Sequence, residues 1–371
     1  MPGRKRSKSA SRGAVRYAVV GIGYISQVAV LPAFRHARSS SKLVALVSGD
    51  ARKRKELGRK YAVPTYGYDE YDALLAAGDV DAVYIALPND LHREYVVRAA
   101  RAGVHVLCEK PLGVDERDCR AMIEACRRHK VKLMTAYRLH FESATLSVLE
   151  AIGSGALGEA KLFDSTFTME VKAPNIRLEA AQGGGTLYDI GVYCINMARH
   201  VFRAEPVEVF AATAGRAGGV EESASCMLRF PGDRLATFVT SFGAAKTSQY
   251  RIVGTRGSIQ VEPGYELASG LTVHLTVGEK RRTMRYAKRD QFAPELIHFS
   301  ECIRKRREPG PSGEEGLADV RVIRALYRSA QRNRPVRLEP KGARRTPTKR
   351  QEINRAPVAR TAMVNATPPG G

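Results

Sequence analysis

The sequence predicts an α/β fold, a Rossmann-type doubly wound parallel sheet, joined to an α+β domain with a large, mainly antiparallel open sheet. Three observations carry that expectation. Short β-branched runs alternate with helical patterns over the first 136 residues, the repetition that builds a parallel sheet covered on both faces. The first run, V-R-Y-A-V-V (Val15 to Val20), leads straight into a glycine turn, G-I-G-Y-I-S, and then into an apolar-periodic stretch that lasts to Phe34. Beyond Tyr137 the strands lengthen, and several alternate apolar and polar residues as a sheet with one covered face requires.

Further strands of the first domain are expected over Leu43 to Val47, Val80 to Leu87, Val104 to Cys108 and Val131 to Ala136. In the second domain, runs such as A-K-L-F-D-S-T-F-T-M and L-A-T-F-V-T-S-F read as strands, interrupted by one helix from Thr186 to Phe202. Helices around Pro294 to Arg306 and Glu314 to Asn333 close the folded part. The expected division is a disordered basic arm (1–14), a dinucleotide-binding domain (15–136), a substrate and oligomerisation domain (137–338) and a disordered basic tail (339–371).

With 371 residues, 44% of them hydrophobic, the chain is long enough for two cores. No apolar run approaches the roughly 20 residues of a membrane-spanning helix. The basic, Ser-rich start lacks the apolar stretch of a secretory signal. Cys108, Cys119, Cys126, Cys194, Cys226 and Cys302 show no metal-ligand spacing, so reduced cysteines, a cytoplasmic location and no metal are expected. A formal net charge of +22 fits a nucleic-acid binder at first sight. Yet residues 1–16 carry six basic residues and no acid, and 341–371 carry seven against Glu352, together more than half of the excess. Contact with nucleic acid is therefore confined to the two tails, whose Pro, Ser, Thr and Gly content predicts disorder.

The glycine turn has a specific physical logic. Gly21 permits the tight turn, Gly23 lets a pyrophosphate approach the backbone, and Ser26 is small enough for close helix packing. The helix N-terminus then favours phosphate charge. At the end of the next strand, V-S-G-D-A-R-K-R-K places Ser48 where NAD sites usually carry a carboxylate, with Arg52, Lys53 and Arg54 close by. A hydroxyl and cations suit a 2′-phosphate, so NADP is favoured over NAD; a small change of register would make Asp50 the ribose ligand instead. Leu87, Pro88, Asn89 and His92 follow another strand's C-terminal end, where doubly wound sheets hold ligands. The stretch V-L-C-E-K-P (Val106 to Pro111) ends a strand on Glu109 and Lys110, which by itself fits a strand merely leaving the core.

Together G-I-G-Y-I-S, A-L-P-N-D-L-H, C-E-K-P, A-Y-R-L-H-F, G-G-G-T-L-Y-D-I-G-V-Y and S-G-E-E-G-L-A-D-V resemble the glucose-fructose oxidoreductase family, which also holds inositol dehydrogenases and many sugar dehydrogenases. The resemblance runs from about Arg16 to Leu338 and is nearest the glucose-fructose branch. It implies an oxidoreductase acting on the CH–OH groups of sugars, with hydride passing from a sugar carbon, C1 of an aldose, to a nicotinamide.

The same resemblance assigns roles. Lys110 lies beside nicotinamide and substrate, where a neighbouring positive charge should ease its loss of a proton. Tyr193 takes the hydroxyl proton where many relatives carry histidine, and it needs a nearby cation to do so. Asp189, four residues earlier on one helical face, orients the substrate or the lysine. Tyr24, Ile25, Leu87, Pro88, Asn89, His92, Glu109, Lys110 and Arg138 surround the cofactor, and Arg177 reaches substrate hydroxyls. Glu109 has a second reading as a structural ion pair, His92 as a helix-packing residue, and His140 is a further contact beside Arg138. The stretch K-A-P-N-I-R-L lacks the tryptophan of the glucose-fructose branch, and the chain has no tryptophan at all; substrate preference is where the resemblance carries least. It also implies reduction of a second sugar if the cofactor stays bound, and a homodimer or homotetramer through the second sheet. The alternatives are a sugar or polyol dehydrogenase with exchanging cofactor, an NAD-dependent glycosidase, and a dinucleotide-binding regulator without turnover.

Overall fold

The computed structural model describes residues 13–215, 219–339, 346–359 and 361–370, so the expected basic arm falls almost wholly outside the described residues. Six parallel strands form the first sheet: β1 (Val15–Val20), β2 (Ser41–Val47), β3 (Thr65–Tyr66), β4 (Ala82–Ile85), β5 (His105–Glu109) and β6 (Leu133–Ala136), in the order 3-2-1-4-5-6. Their central residues are almost all buried, as expected of strands covered on both faces. Helices α1 (Leu31–Ala37), α2 (Ala51–Tyr61), α3 (Tyr71–Ala76), α4 (His92–Arg101) and α5 (Glu116–Arg128) make the crossovers. The order reverses between β1 and β4, and at such a switch point the strand ends open a crevice.

After α6 (Ser143–Gly153), a nine-stranded sheet follows. It contains β7 (Ala160–Glu170), β8 (Glu208–Gly215), β9 (Glu221–Phe230), β10 (Arg234–Ser241), β11 (Gly243–Gly254), β12 (Gly257–Val261), β13 (Leu271–Val277), β14 (Lys280–Tyr286) and β15 (Val336–Arg337). Every neighbouring pair is antiparallel except β7 with β10. Helix α7 (Val192–Phe202) lies on its inner face, with a π-helical turn, Leu187–Gly191, leading into it. The last helices are α8 (Ala293–Arg304) and α9 (Gly313–Arg332).

Two parts of the chain go elsewhere than the sequence indicated. Helix α8 does not stay with the second domain: Phe292, Leu296, Ile297 and Phe299 join the core under β1 and β2. Ser300 Oγ lies 2.8 Å from both Tyr17 Oη and Ser41 Oγ. A doubly wound sheet needs its second face covered, and α8 supplies that cover beside α1. The tail composition predicts disorder, yet residues 346–359 and 361–370 follow a defined course over both domains. Arg355 Nε donates to His36 O at 3.3 Å, Ser143 Oγ donates to Glu352 Oε1 at 2.6 Å, and Val364 is 9% exposed within the core.

A buried ionic cluster ties α7 to α9. Arg199 on α7 donates to Glu205 through Nε and Nη2 at 2.7 and 2.8 Å, and through Nη1 to Glu315 at 3.3 Å and to Asp319 of α9. Asp319 also accepts from the Asn196 amide at 2.8 Å and from the Tyr137 hydroxyl. Arg199 is 1% and Asp319 0% exposed, so removing one partner strands a buried charge. Asp319→Ala is therefore expected to cost about 3–5 kcal/mol in denaturant unfolding. Glu56→Ala, which breaks the exposed Arg52–Glu56 pair, should leave the midpoint unchanged.

Candidate active site

The C-terminal ends of the parallel strands open into a cavity of about 530 Å³ between the two domains. Gly23, Tyr24 and Ile25 line it after β1, Leu87, Pro88 and Asn89 after β4, Glu109 and Lys110 at β5, and Arg138 after β6. Arg177, Asp189 and Tyr193 face it from the second domain. The glycine turn fits a phosphate. Gly21 has φ +89°, and a Cβ there would stand 2.4 Å from Ala86 O. Around Gly23 a Cβ would meet nothing within 4 Å, which leaves its backbone open to a ligand. Ser26 packs by donating its hydroxyl to Gly21 O at 2.6 Å.

Lys110 is the central cation. Its Nζ donates to Asp189 O at 2.8 Å and to Asp189 Oδ1 at 3.2 Å. Arg177 Nε donates to the other carboxylate oxygen at 2.6 Å. Burial alone works to raise the Asp189 pKa, but Arg177 and Lys110 outweigh it and hold the carboxyl well below its ordinary range. Burial likewise works to lower the Lys110 pKa, but negative charge at Tyr193, Asp189 and Glu109 outweighs it and raises it. The eased deprotonation expected for Lys110 is thus opposed by its own partners. The Lys110–Pro111 bond is cis. Tyr193 lies under two cations: Lys110 Nζ is 4.8 Å and Arg138 Cζ 4.9 Å from its ring centroid, and Arg138 Nε donates to its hydroxyl at 3.2 Å.

The glycines of G-G-G-T-L-Y-D bring these groups close. Gly185 has φ +119°, and a Cβ there would lie 2.7 Å from Glu221 Oε2 and Tyr327 Oη. Asn89 Nδ2 donates to Gly183 O at 2.8 Å, tying the first domain to this loop. The helices on both sides of the cavity, after Gly23 and at Asp189, begin with π turns, a distortion frequent at functional sites.

Several expected residues sit apart from the cavity lining. His92 is fully buried; its Nδ1 lies 3.1 and 3.2 Å from Pro111 O and Leu112 O, and its Nε2 3.0 Å from Leu87 O. It does not line the cavity, and its ring nitrogens face main-chain carbonyls of the turns that carry Leu87 and Lys110, which agrees with the packing reading of this residue. Glu109, by contrast, does line the cavity; it accepts from Tyr84 Oη at 2.8 Å and from Lys110 N at 3.2 Å, and burial raises its pKa. His140 turns inward, with Nε2 2.9 Å from Asn196 Oδ1 and 3.1 Å from His200 Nε2. Ser48 is buried at the end of β2, where Asp50 N donates to its Oγ at 3.2 Å. Asp50 caps α2, accepting from Lys53 N at 3.0 Å, and Lys53 Nζ stands 3.9 Å from its other oxygen. Neither Ser48 nor Lys53 lines the cavity itself.

Sequence reasoning missed Phe167, Met169, Lys246, Tyr265, Glu266, Pro369 and Gly370 in the lining. Lys246 Nζ donates to Glu266 Oε2 at 2.8 Å, and Arg138 Nη2 donates to Tyr265 O at 2.5 Å. These residues come from β7, β11, the loop after β12 and the tail, so no local spacing marks them. Because a Cβ at Gly23 meets no protein atom, Gly23→Ala should leave thermal stability unchanged while weakening NADPH binding at least tenfold in a fluorescence titration.

Comparison with known proteins agrees with this architecture. Residues 15–137 match the family model described as oxidoreductase family, NAD-binding Rossmann fold, and residues 145–260 match the GFO/IDH/MocA C-terminal domain. The chain is 30% identical, over 87% of its length and 99% of the relative's, to D-xylose 1-dehydrogenase (NADP(+)) 2 of Haloferax volcanii. It is 33% identical to an uncharacterized oxidoreductase of Rhizobium meliloti, covering 86% of this chain and 97% of that one. Among solved structures, aldose-aldose oxidoreductase from Caulobacter crescentus, complexed with glycerol, superposes with a TM-score of 0.84 at 36% identity, covering 88% of this chain and 100% of that one. The 3-ketoreductase KijD10 of Actinomadura kijaniata, in complex with NADP and TDP-benzene, gives 0.79 at 27% identity, with 85% and 98% covered. With both domains matched, the chain belongs to the GFO/IDH/MocA oxidoreductase family.

Proposed function

We propose that the protein is an NADP-dependent oxidoreductase that oxidises a sugar hydroxyl, at C1 of an aldose. The observation that carries this is the convergence of Lys110, Asp189 and Tyr193 on one cavity that also contains the Gly23 turn. Relatives named as NADP(+)-dependent xylose dehydrogenases and an aldose-aldose oxidoreductase support the substrate class. The cofactor's 2′-phosphate falls to the Ser48 end of β2, where Lys53 and Arg54 supply positive charge and Asp50 is engaged as a helix cap.

When bound, the nicotinamide supplies the hydride acceptor. The protein's part is to hold the sugar and to move its proton. Tyr193 accepts the hydroxyl proton, and the Arg138 and Lys110 cations beside its ring stabilise negative charge on its oxygen. Lys110, fixed by Asp189, donates to the sugar oxygen and orients it. Arg177 keeps Asp189 ionised and reaches toward the remaining hydroxyls. The apolar walls, among them Phe167, Met169 and Ile176, exclude water from the exchange. A second sugar entering the same site is reduced by the reverse steps if the dinucleotide stays in place.

The reading extends to location and assembly. Among the described residues no helix is long and apolar enough to cross a membrane, and six free, buried cysteines fit a reducing cytoplasm. Leu162 and Val239 stand 46% and 42% exposed on the paired strands β7 and β10, and a second copy seated on that sheet face would cover them. Leu162→Glu should then shift the sedimentation coefficient to that of a smaller species; an unchanged value sinks this assembly.

The function is tested by following nicotinamide absorbance of the purified protein through an aldose panel, with and without added NADP⁺. Tyr193→Phe should lower kcat by about 10²–10⁴-fold with little change in NADPH affinity. Asp189→Asn removes a carboxylate that raises the Lys110 pKa. The ammonium then survives to a lower pH limit, so the alkaline limb of kcat/KM should move toward neutrality by about 1–3 units. A limb that stays in place contradicts the assignment of Lys110.

A further inference from the structure

The segment 361–370 is held in place by contacts that its composition gives no reason to expect. Gln27, 2% exposed and only four residues beyond Gly23, exchanges two hydrogen bonds with the main chain of Val364: its Nε2 donates to Val364 O, and its Oε1 accepts from Val364 N, both at 2.8 Å. Thr361 Oγ1 donates to Gln27 O at 3.2 Å. Asn365 Nδ2 then donates to Asp50 Oδ2 at 3.1 Å, at the end of β2. Four residues later the chain has crossed to the second domain, where Lys172 N donates to Pro369 O at 3.1 Å, and Pro369 and Gly370 line the cavity.

These anchors have a common geometry. The first lies beside the turn that fits the pyrophosphate, the second at the strand end that selects the adenosine ribose, and the third in the lining of the cavity that also holds Lys110 and Asp189. Four extended residues reach at most about 14 Å, so the stretch from Asn365 to Pro369 is a short bridge over the cleft between the domains. A buried glutamine used solely for main-chain pairing, and a valine in the core, make this a seated element. Exposed polar tails have neither.

We propose that residues 361–370 are a strap that forms one wall of the dinucleotide site and slows release of the cofactor, so that one bound nucleotide serves successive sugars. This rests on the dinucleotide reading of the cavity given above. A retained cofactor is what a two-sugar cycle requires, and the strap supplies it from within the chain. Release of the nucleotide then needs the Asn365 and Pro369 anchors to part, whereas the sugar leaves past Gly370 alone.

The test is the dissociation rate of NADPH, chased with excess NADP⁺ and followed by nicotinamide fluorescence. It compares the full chain, a variant lacking residues 361–371, and Val364→Asp, which expels the strap's buried anchor without removing any atom of the cavity. Both altered proteins should release NADPH at least tenfold faster than the full chain, with thermal unfolding recorded to show that each is folded. Equal rates in all three overturn the strap while leaving the dinucleotide site standing. Faster and tighter uptake after deletion also overturns it, because the segment would then be a plug. No NADPH binding by any of them overturns the dinucleotide reading and the strap with it.

Discussion

The Lys110 ammonium is held from across the domain junction, by the carbonyl and carboxylate of Asp189 at 2.8 and 3.2 Å. Lys110 follows the fifth strand of the parallel sheet and Asp189 opens the helix that lies on the antiparallel one, so the pair exists only when the two domains are docked. Much of the surrounding structure serves that docking. His92 braces the Lys110 turn through main-chain carbonyls, Gly185 leaves room for Glu221 and Tyr327, and the Arg199 cluster fixes α7 to α9. A paired, buried cation is costly to assemble, and here it gathers an ammonium, a phenol and a carboxylate around one small volume.

Positive charge is concentrated around that volume. Lys110, Arg138 and Arg177 meet Asp189 and the Tyr193 ring within a few ångströms, an arrangement that favours negative charge on oxygen during proton transfer. Glu109 and Glu295 lie behind it. Burial and the neighbouring Glu109 charge hold the Glu295 carboxyl well above its ordinary range.

Five strands of the first sheet were legible as short apolar runs and several junctions carry their own chemical mark, whereas β3, only Thr65–Tyr66, is too short to leave a pattern. Gly21 and Gly23 announce the turn, Glu109-Lys110-Pro111 a strand end, and Gly183 to Gly185 the entry to α7. Strand bounds moved by one or two residues, as at Val80 to Leu87 against the observed Ala82–Ile85. Helix α8 was misplaced because its apolar face is the same whichever sheet it covers; only tertiary packing decides. The places of His92 and His140 follow a related rule: a histidine after a strand end reads as a ligand, and the burial that turns its ring toward protein partners is invisible in one dimension. The tail is the largest surprise: it carries no long apolar run, and the two residues that seat it, Gln27 and Val364, stand 337 positions apart.

The chemistry that this geometry supports has one decisive signature, the direct passage of hydrogen from the sugar carbon to the dinucleotide. The protein should be incubated with an aldose deuterated at C1 and NADP⁺, and the recovered nucleotide weighed by mass spectrometry. A gain of one mass unit in the reduced cofactor, absent with the Tyr193→Phe protein over the same interval, is the predicted result. A reduced cofactor without deuterium, or unlabelled nucleotide beside consumed sugar, would contradict oxidation at C1 in this cavity.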